Sequence, residues 1–354
     1  MKKLNVCILF GGISPEHDVS LRSAEAVLNH LDKEKYNIYP VGITKKGQWL
    51  LFGSEDYSLL PDSNWLSCPD NCPAEISPAR GKGLLIFRED GVECVKIHAV
   101  YPVLHGENGE DGAMQGLLQM AGIPYVGPHV SASAVAMDKT LTKLVADNAG
   151  IPQAAWKLVR SSELHDRMET VLQEVEDRFA YPVFVKPAGT GSSVGVSKAA
   201  DREALRKALL DAGKFDEKIL VEEFISGREV EVAVLGNDMP VASICGEIDS
   251  GADFYDYDAK YVTDTSVAYI PARIPEDVAE QVRENAVKVY QAIGCKGLSR
   301  VDFFVTFAGN DIVFNEINTL PGFTSISMYP KLFAASGIPF TQLLDELLKL
   351  AMEA

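Results

Sequence analysis

The sequence predicts an α/β protein with a parallel-sheet domain at its N-terminal end and α+β organisation in its C-terminal parts. Residues 1 to about 127 alternate apolar strands with amphipathic helices, which is typical of a mostly parallel sheet. Two glycine-rich loops, residues 11–14 and 106–112, directly follow predicted strands, where ligands bind to such sheets. Near the C-terminus, two β-branched and aromatic runs flank turn residues 309–311, which predicts an antiparallel hairpin.

Composition indicates a globular protein of more than one domain. A length of 354 residues allows two or three domains, and 47% hydrophobic with 23% charged residues is ordinary for a folded chain. The 33 basic and 50 acidic residues give a net charge of -17, which argues against nucleic acid as the main partner. Isolated Lys and Arg side chains in apolar or glycine-rich stretches therefore become candidates for binding an anionic ligand.

Cysteine usage and hydropathy predict a cytoplasmic protein. The 6 cysteines are scattered and form no C-x-x-C pair, which fits a reducing compartment. The apolar run over residues 4–10 is too short for a signal peptide, and Glu16 and Asp18 follow it instead of a small-residue cleavage site. No segment reaches the roughly 18 apolar residues that a membrane span needs. We therefore expect no membrane partner.

Hydrophobic periodicity predicts the elements of the first domain, residues 1–127. Apolar residues three and four positions apart predict helices over residues 20–31 and 113–121. Proline and polar residues predict an irregular stretch over residues 54–82. Strands are predicted over residues 5–10, 36–43, 84–87 and 95–103.

Two further domains are predicted, residues 128–220 and residues 221–354. Within the last one, residues 250–268 lack clear periodicity and are predicted to form a lid loop. The central elements are helices over residues 132–149 and 162–179 and a strand over residues 181–186. The C-terminal elements are strands over residues 229–235 and 241–248, a helix over 275–293, the hairpin strands over 297–304 and 314–319, and a closing helix over 339–352.

The hairpin carries a polar face. Alternate side chains of a strand share a face, so Arg300 and Asp302 point one way. Glu316 and Asn318 likewise share a face of the second strand, opposite Asn315. If the strands pair, two carboxylates, an amide oxygen and a guanidinium meet on one surface, and such oxygen ligands suit Mg²⁺. The alternative is a solvent-facing strand pair with an Arg–Asp ion pair.

Lys186 precedes a loop that suits phosphate. It ends an apolar strand, and the following residues 187–196 contain three glycines and two serines. Consecutive N–H groups in such a loop can cradle phosphate oxygens. The spacing is neither a Walker A loop nor a dinucleotide fingerprint, and a glycine-rich hairpin without a ligand is the alternative.

Acidic and aromatic segments give two weaker signals. Glu222 and Glu229 lie beside apolar residues and could accept hydrogen bonds from an adenine amino group and a ribose hydroxyl. Merely solvated charges at a strand edge are the alternative. Residues 254–261 carry three Tyr, one Phe and one Lys, as in lids that exclude water. A surface loop packed by its own aromatic side chains is the alternative.

Further positions along the chain could contact a ligand. Glu16 precedes a predicted helix, where ordinary capping is the alternative. His105 ends a predicted strand and could touch a ligand or bind the adjoining glycine-rich loop. The turn at residues 321–322 could aim a backbone N–H at a reacting carbonyl oxygen, and Ser325 and Ser327 could hold a carboxylate. A plain turn is the alternative.

The order of these motifs resembles one family along essentially the whole chain. In order they are Gly-Gly-x-Ser-x-Glu, His-Gly-x-x-Gly-Glu-Asp-Gly, Met-Asp-Lys, Val-Lys-Pro with Gly-Ser-Ser-Val-Gly, Tyr-Asp-Tyr-x-Ala-Lys-Tyr, Arg-Val-Asp, Asn-Glu-x-Asn-Thr and Pro-Gly-Phe-Thr-Ser. Together they are similar to the D-alanine–D-alanine ligases of the ATP-grasp superfamily. The resemblance implies a three-domain ATP-grasp architecture with ATP between the central and C-terminal domains.

The resemblance also implies residues that bind ATP and two Mg²⁺ (or Mn²⁺). These groups would hold the phosphates, the adenine and ribose, and the metal ions. Lys139, Lys186 and, once the lid closes, Lys260 would contact the phosphates; Glu222, Phe224, Ile225 and Glu229 would surround adenine and ribose; Asp302, Glu316 and Asn318 would hold the metals.

The implied reaction joins two D-alanines in two steps. The carboxylate of the first attacks the γ-phosphorus to give an acyl phosphate, and the amine of the second then displaces phosphate. The implied substrate residues serve charge stabilisation, orientation and binding. Arg300 and the Gly322 N–H would stabilise the oxyanion, and Glu16 would pair with the first ammonium. Ser192 and Tyr261 would link to Glu16 and help orient or deprotonate the second amine. His105, Ser327 and Met328 would form the second pocket.

The resemblance favours D-alanine as the second substrate. Ligases that make D-alanyl-D-lactate lack the Tyr-x-Ala-Lys-Tyr ending that contains Tyr261, and resistance-type ligases often carry a basic residue where this chain has Met328. A D-alanine–D-serine or D-alanine–D-lactate ligase stays the alternative. Another ATP-grasp carboxylate–amine ligase, or a nucleotide-binding regulatory protein without turnover, is a further one. A homodimer is expected from the resemblance alone.

Overall fold

The computed structural model describes residues 3–191, 193–249 and 267–353. The strands of its first sheet are β1 (Leu4–Gly11), β2 (Tyr36–Ile43), β3 (Trp49–Leu51), β4 (Cys72–Ile76), β5 (Leu84–Arg88), β6 (Gly91–Val95) and β7 (Ala99–Val103). They lie in the order β6-β5-β4-β3-β2-β1-β7. β1 pairs in parallel with β2 and β7, and the other pairings are antiparallel. The α/β class is confirmed, and the first sheet is mixed rather than mostly parallel.

The centre of the first sheet is buried on both faces. Val6 and Ile8 of β1 lie in a core that helix α1 (His17–His30) shares. Cys7 lies in a second core, together with residues of helix α2 (Ala113–Ala121). Burial of both faces explains why β1 is a continuous apolar run without polar alternation. The loop that follows β1 therefore starts from a strand that is buried on both faces.

Two predictions for this sheet differ from the structure. The strand predicted over residues 95–103 begins only at Ala99, as β7 paired with β1, whereas Val95 is the last residue of β6, which pairs with β5. His98 lies at the division, where its Nδ1 accepts a hydrogen bond from Asn5 N at 2.9 Å. The stretch 54–82, predicted to be irregular, contains β4, whose Pro73 weakens the strand signal. The same stretch also contains short 3₁₀ helices at Tyr57–Leu59 and Asn64–Ser67.

Helices α3 (Val130–Met137) and α4 (Lys139–Asn148) replace the single helix predicted over residues 132–149. Asp138 divides them, because its φ of -86° and ψ of 101° are not helical. Its carboxylate accepts from two N–H groups of the following turn, as an N-cap does. The capping signal of this aspartate was available in the sequence.

The second sheet is antiparallel and presents one face to a cavity. Val183 and Val185 lie in a core under the helices, so Phe184 and Lys186 face the other way. Arg167, with φ of -126°, divides the helix predicted over 162–179. The elements are β8 (Trp156–Arg160), α5 (Glu163–Asp166), α6 (Met168–Glu176), β9 (Val183–Pro187), β10 (Ser197–Ala199), α7 (Arg202–Ala212) and β11 (Lys218–Glu223), with strand order β10-β9-β11-β8.

The third sheet is also antiparallel and contains the predicted hairpin. The strand predicted over residues 241–248 is two strands, with residues 243–245 between them. The elements are β12 (Gly227–Leu235), β13 (Val241–Ala242), β14 (Gly246–Asp249), β15 (Val267–Tyr269), α8 (Glu276–Ile293), β16 (Leu298–Thr306) and β17 (Ile312–Asn318). The main path runs β15-β14-β12-β16-β17, and β13 pairs with β12.

Two helices follow the third sheet and pack against the first. They are α9 (Met328–Ala335), which the sequence did not predict, and α10 (Phe340–Glu353). Tyr329 and Leu343 share a core with Val6 of β1. The domain boundaries at residues 127 and 220 stay a prediction. In the part of the chain that the structure describes, no helix is long and apolar enough to cross a membrane.

Candidate active site

A cavity of about 470 Å³ lies where the second and third sheets meet the loops of the first. Most predicted site residues line it. Ser192, Lys260 and Tyr261, with most of the predicted lid, lie outside the described residues. The lining contains Glu16, His105, Lys139, Lys186, Glu222, Phe224, Ile225, Glu229, Arg300, Asp302, Glu316, Asn318 and Gly322.

The hairpin register brings the predicted polar face together. Arg300 pairs with Asn318 and Asp302 pairs with Glu316. The register then shifts, so Phe303 pairs with Phe314 and Asn315 has no counterpart on β16. This bulge lets the aromatic pair enter the core while Glu316 faces the cavity, although residues two apart would normally share a face.

The bulge also corrects the predicted orientation of Asn315. The sequence placed it opposite Glu316, but both residues line the cavity. Lys186 Nζ lies 3.4 Å from Asn315 Oδ1, as a hydrogen-bond donor. The second and third sheets are therefore linked across the cavity at this point.

Arg300 is held by a forked ion pair. Its Nε donates to Asp302 Oδ1 at 2.8 Å and its Nη2 to Asp302 Oδ2 at 2.7 Å. Glu231 Oε2 lies 3.3 Å from the same Nε. Burial would lower the pKa of Arg300, but the two carboxylates outweigh it and raise that pKa. The Arg–Asp pair proposed as the alternative is real, yet it lies in the cavity with Arg300 only 9% exposed.

The donor set beside Arg300 suits a hard divalent cation. Asp302, Glu316 and Asn318 offer carboxylate and amide oxygens from facing positions of one hairpin, as Mg²⁺ prefers. Asn318 Nδ2 donates to Asp302 Oδ2 at 3.0 Å, so its amide must turn over to present oxygen. Among the described residues, no group of three or more His, Cys, Asp or Glu side chains is placed so that it could hold a metal ion. The fit therefore rests on the mixed set of two carboxylates and an amide.

Three lysines surround Glu222 and the glycine-rich loop. Glu222 Oε2 lies 2.6 Å from Lys186 Nζ, and its Oε1 lies 2.5 Å from Lys143 Nζ. Burial would raise the pKa of Glu222, but the two ammonium charges outweigh it and lower the pKa to about 2. Lys139 donates to Thr190 O of the loop at 2.7 Å. Anionic phosphates that bind beside this loop would be close to the ammonium groups of Lys139 and Lys186.

The sequence interpretation missed Lys143 and assigned Glu222 to adenine and ribose. The structure turns the Glu222 carboxylate onto two lysines instead. The missed signal is spacing, because Lys139 and Lys143 are four residues apart on α4 and therefore share a helix face.

An aromatic edge borders the same cavity. The rings of Phe184 and Phe224 lie 6.0 Å apart between centroids, and Lys198 Nζ lies 4.5 Å from the centre of Phe224. Ile225 and Glu229 follow along the rim. A flat heteroaromatic base would find apolar surface here with a carboxylate beyond it.

Glu16 lies where two glycines allow close approach. A β-carbon added at Gly106 would come 2.6 Å from Glu16 Oε2, and one added at Gly191 would come 2.9 Å from it. Loops that follow β7 and β9 therefore press against this carboxylate. A side chain at either glycine would displace Glu16.

Glu110, which the sequence interpretation did not select, joins two distant loops. Its Oε2 accepts from Gly106 N at 2.7 Å and its Oε1 from Leu320 N at 3.1 Å. His105 Nδ1 lies 3.0 Å from Leu320 O, and its Nε2 lies 3.2 Å from Ser23 Oγ. Both sides of Leu320 are thus fixed just before the turn at Gly322. His105 uses both ring nitrogens in this arrangement, besides lining the cavity.

Glu110 should make stability depend on pH. Burial raises the pKa of this carboxyl most and the nearby Glu16 charge raises it further; the N–H groups of Gly106 and Leu320, and then the charge of Arg300, lower it less, so the pKa reaches about 8. The folded protein therefore holds a proton that the unfolded chain has lost above its ordinary carboxyl pKa. The stabilisation is present at low pH and is lost as pH rises through about 8.

We expect Glu110→Gln, which cannot ionise, to flatten this dependence. Between about pH 6 and about pH 9 the unmodified protein should lose roughly 2 kcal/mol of unfolding free energy relative to the variant. Denaturant titrations at several pH values measure the difference. Parallel curves for both proteins would contradict the raised pKa.

The predicted second-substrate residues separate. Ser327 Oγ lies beside the turn, 2.8 Å from where a β-carbon of Gly322 would be, and accepts from Thr324 N at 3.0 Å. Met328 does not line the cavity. It is 5% exposed in the core and packs beneath Gly246, because it starts the unpredicted helix α9. The structure therefore gives no support for direct substrate contact by Met328.

Comparison with known families decides the relationship. A model described as D-ala D-ala ligase N-terminus matches residues 5–128, and one described as D-ala D-ala ligase C-terminus matches residues 145–349. The chain belongs to the D-alanine–D-alanine ligase family. Its resemblance to that family, read from motif order, is thus confirmed.

Individual members of the D-alanine–D-alanine ligase family match over nearly their full length. The D-alanine–D-alanine ligase of Caldicellulosiruptor bescii is 48% identical over 354 residues, covering 100% of this chain and 96% of that relative. The one of Ruminiclostridium cellulolyticum is 49% identical over 363 residues, with 100% and 96% covered.

Solved structures of two ligases are similar to this chain in fold. The VanG D-Ala:D-Ser ligase from Enterococcus faecalis superimposes with a TM-score of 0.90 at 38% identity, covering 99% of this chain and 100% of that one. The D-alanine-D-alanine ligase from Coxiella burnetii gives a TM-score of 0.86 at 36% identity, with 100% and 95% covered. The ATP-grasp architecture is thereby confirmed.

Proposed function

We propose that the protein uses ATP to join two D-alanines into D-alanyl-D-alanine for peptidoglycan precursors. One observation carries the proposal: in a chain of this family, the Arg300–Asp302 pair and Glu316 face Lys186 across a single cavity. Phosphoryl transfer needs cations around phosphate oxygens and exact placement of the attacking group more than covalent catalysis. This cavity brings the cation of Lys186 on β9 opposite the polar groups of β16 and β17.

The nucleotide is proposed to lie between the second and third sheets. Its phosphates would meet Lys139 and Lys186, with Lys260 added from the predicted lid. Its base and ribose would lie along Phe224, Ile225 and Glu229. Asp302, Glu316 and Asn318 would hold Mg²⁺ or Mn²⁺, which when bound neutralises charge on the phosphate oxygens.

In the first proposed step, the carboxylate of one D-alanine attacks the γ-phosphorus, and the acyl phosphate and ADP form. Glu16 would pair with the ammonium group of this D-alanine. The predicted lid, residues 250–268, would keep water from hydrolysing the acyl phosphate. The substrate would then be committed to the second step.

In the second proposed step, another D-alanine would lose its ammonium proton with the help of Ser192 and Tyr261, and its amine would attack the acyl carbon. The C–N bond forms, the bond from that carbon to the phosphate oxygen breaks, and inorganic phosphate leaves. Arg300 and the Gly322 N–H would stabilise the developing oxyanion. Ser192 and Tyr261 would orient this amine. Ser327, beside the turn, would bind its carboxylate, and His105 would border the pocket.

The deciding experiment measures ATP-dependent phosphate release with D-alanine as the sole amino acid. We expect release and a dipeptide product, whereas L-alanine should give neither. Absence of release with D-alanine alone would overturn the proposal. Tight ATP binding without any amino-acid-stimulated hydrolysis would instead support a regulatory nucleotide-binding protein.

D-alanyl-D-serine is the second candidate product, because the VanG D-Ala:D-Ser ligase is similar in fold. Because Met328 is buried in the core, its apolar side chain gives no argument against D-serine. The preference for D-alanine therefore rests on Tyr261 and on the named relatives. Competition between D-alanine, D-serine and D-lactate, with products separated by chromatography, distinguishes the candidates. A mainly mixed dipeptide would favour the second.

Glu16→Gln is expected to raise the KM for the first D-alanine by about tenfold or more, since a charge-assisted pair with the ammonium is lost. The KM for ATP should change little. Asp18→Asn, two residues away and exposed beside Lys45, is the matched control. If Glu16→Gln left the D-alanine requirement unchanged, another substrate would be indicated.

Cytoplasmic location, a homodimer and the division into domains at residues 127 and 220 follow from the sequence and the family resemblance. They stay predictions.

A further inference from the structure

Lys143 is a buried cation that no step above uses. Its side chain on α4 is 2% exposed, and taking an ammonium out of water is costly unless it is paired. Its Nζ lies 2.5 Å from Glu222 Oε1. The other oxygen of the same carboxylate lies 2.6 Å from Lys186 Nζ. One carboxylate therefore serves two ammonium groups, one oxygen for each.

This sharing leaves positive charge beside the glycine-rich loop. A pair of Glu222 with Lys186 alone would be electrically neutral, whereas the trio carries one net positive charge. Lys186 lines the cavity with 15% of its side chain exposed, while Lys143 lies behind the carboxylate. The excess charge is therefore presented at the side that faces the cavity.

We propose that Lys143 is a positioning residue of the nucleotide site, which holds Glu222 so that Lys186 keeps enough positive charge for the phosphates of ATP. Without it, Glu222 Oε1 would lose its partner and both oxygens would turn to Lys186. Phosphate oxygens would then have to displace a tight one-to-one ion pair. The inference rests on the proposed function only in taking ATP as the ligand.

A purely structural role predicts a different pattern. If Lys143 only supported the fold of the central sheet, its loss would weaken binding of the base and of the phosphates alike. If it acts through Lys186, the loss should grow with the number of phosphates on the ligand. Comparing ATP with adenosine therefore separates the two roles.

The test uses Lys143→Met, similar in length but uncharged, with Lys143→Arg as the charge-preserving control. Titration calorimetry without D-alanine measures binding of ATP, ADP and adenosine to the full chain in the presence of Mg²⁺. We expect Lys143→Met to weaken ATP about tenfold or more, adenosine less than about twofold, and Lys143→Arg to restore most of the ATP affinity. Equal weakening of ATP and adenosine, or unchanged ATP binding, would overturn the inference.

A second comparison keeps the inference testable if Lys143→Met alone folds poorly. In a Glu222→Gln background the carboxylate is gone, and Lys143 becomes an unpaired buried ammonium. Adding Lys143→Met there should raise the melting temperature and leave ATP affinity within about twofold. A further tenfold loss of ATP affinity would contradict action through Glu222.

The outcomes separate this inference from the proposed function. A chain that binds ATP in the expected pattern but releases no phosphate with D-alanine leaves the inference standing and overturns the ligase proposal. A chain that ligates D-alanine while Lys143→Met binds ATP normally does the reverse.

Discussion

Arg300→Lys is expected to lower turnover by about a thousandfold, because an oxyanion donor of fixed geometry is lost. The guanidinium donates two parallel hydrogen bonds to Asp302 and also contacts Glu231, so its remaining N–H groups are rigidly aimed. A lysine keeps the charge but has neither the fork nor the planar shape. The reduction should appear in kcat, with the KM for ATP nearly unchanged.

Partial reactions locate the effect. Acyl phosphate formation, followed by isotope exchange within ATP, should survive in Arg300→Lys better than dipeptide formation does. Arg206→Lys is the matched control, since Arg206 on α7 pairs with the exposed Glu169 on α6. Dipeptide formation within about tenfold of the unmodified protein would remove Arg300 from the proposed second step.

Glu316→Gln is expected to lower turnover by about a hundredfold or more and to raise the Mg²⁺ concentration needed for half-maximal activity. The amide has the same shape but lacks the charge that a divalent cation requires from a ligand. Glu316 faces Asp302 across the hairpin, so one of only two carboxylates in the proposed donor set is lost. Phosphate release measured over a Mg²⁺ series separates weaker metal binding from slower chemistry.

Glu280→Gln serves as its control, because Glu280 is an exposed partner of Arg283 on α8. Its Mg²⁺ dependence should match that of the unmodified protein. If Glu316→Gln responded to Mg²⁺ in the same way, the donor set would have to exclude Glu316. Melting temperatures of both variants show whether the fold is retained.

Local pattern predicted the hairpin well. Period-two alternation placed Arg300, Asp302, Glu316 and Asn318 on one face, and the register confirms it. The alternation does not predict the bulge at Asn315, because the bulge depends on how Phe314 packs in the core. Nothing in the alternation itself marks an extra residue.

Tertiary packing decided the other differences. The four-residue spacing from Lys139 predicts a shared helix face for Lys143 but not its burial, and only the fold brings Glu222 against it. Met328 stands next to Ser327 in sequence, yet the start of α9 turns it into the core. Glu110 was part of a recognised motif, but its partner Leu320 lies 210 positions away. Family resemblance located the site, and the side-chain partners required three-dimensional contacts.

The packing of α9 and α10 on the first sheet has a consequence for biosynthesis. The Tyr36 hydroxyl donates to Asp345, 309 positions later, and Leu343 shares a core with Val6. As the chain leaves the ribosome, α1 can cover only part of this apolar face, and the rest stays exposed until α9 and α10 emerge. The core of the N-terminal sheet is therefore completed only by the last helices of the chain. We expect chaperones to bind nascent chains that are halted before α10 more than chains that include it.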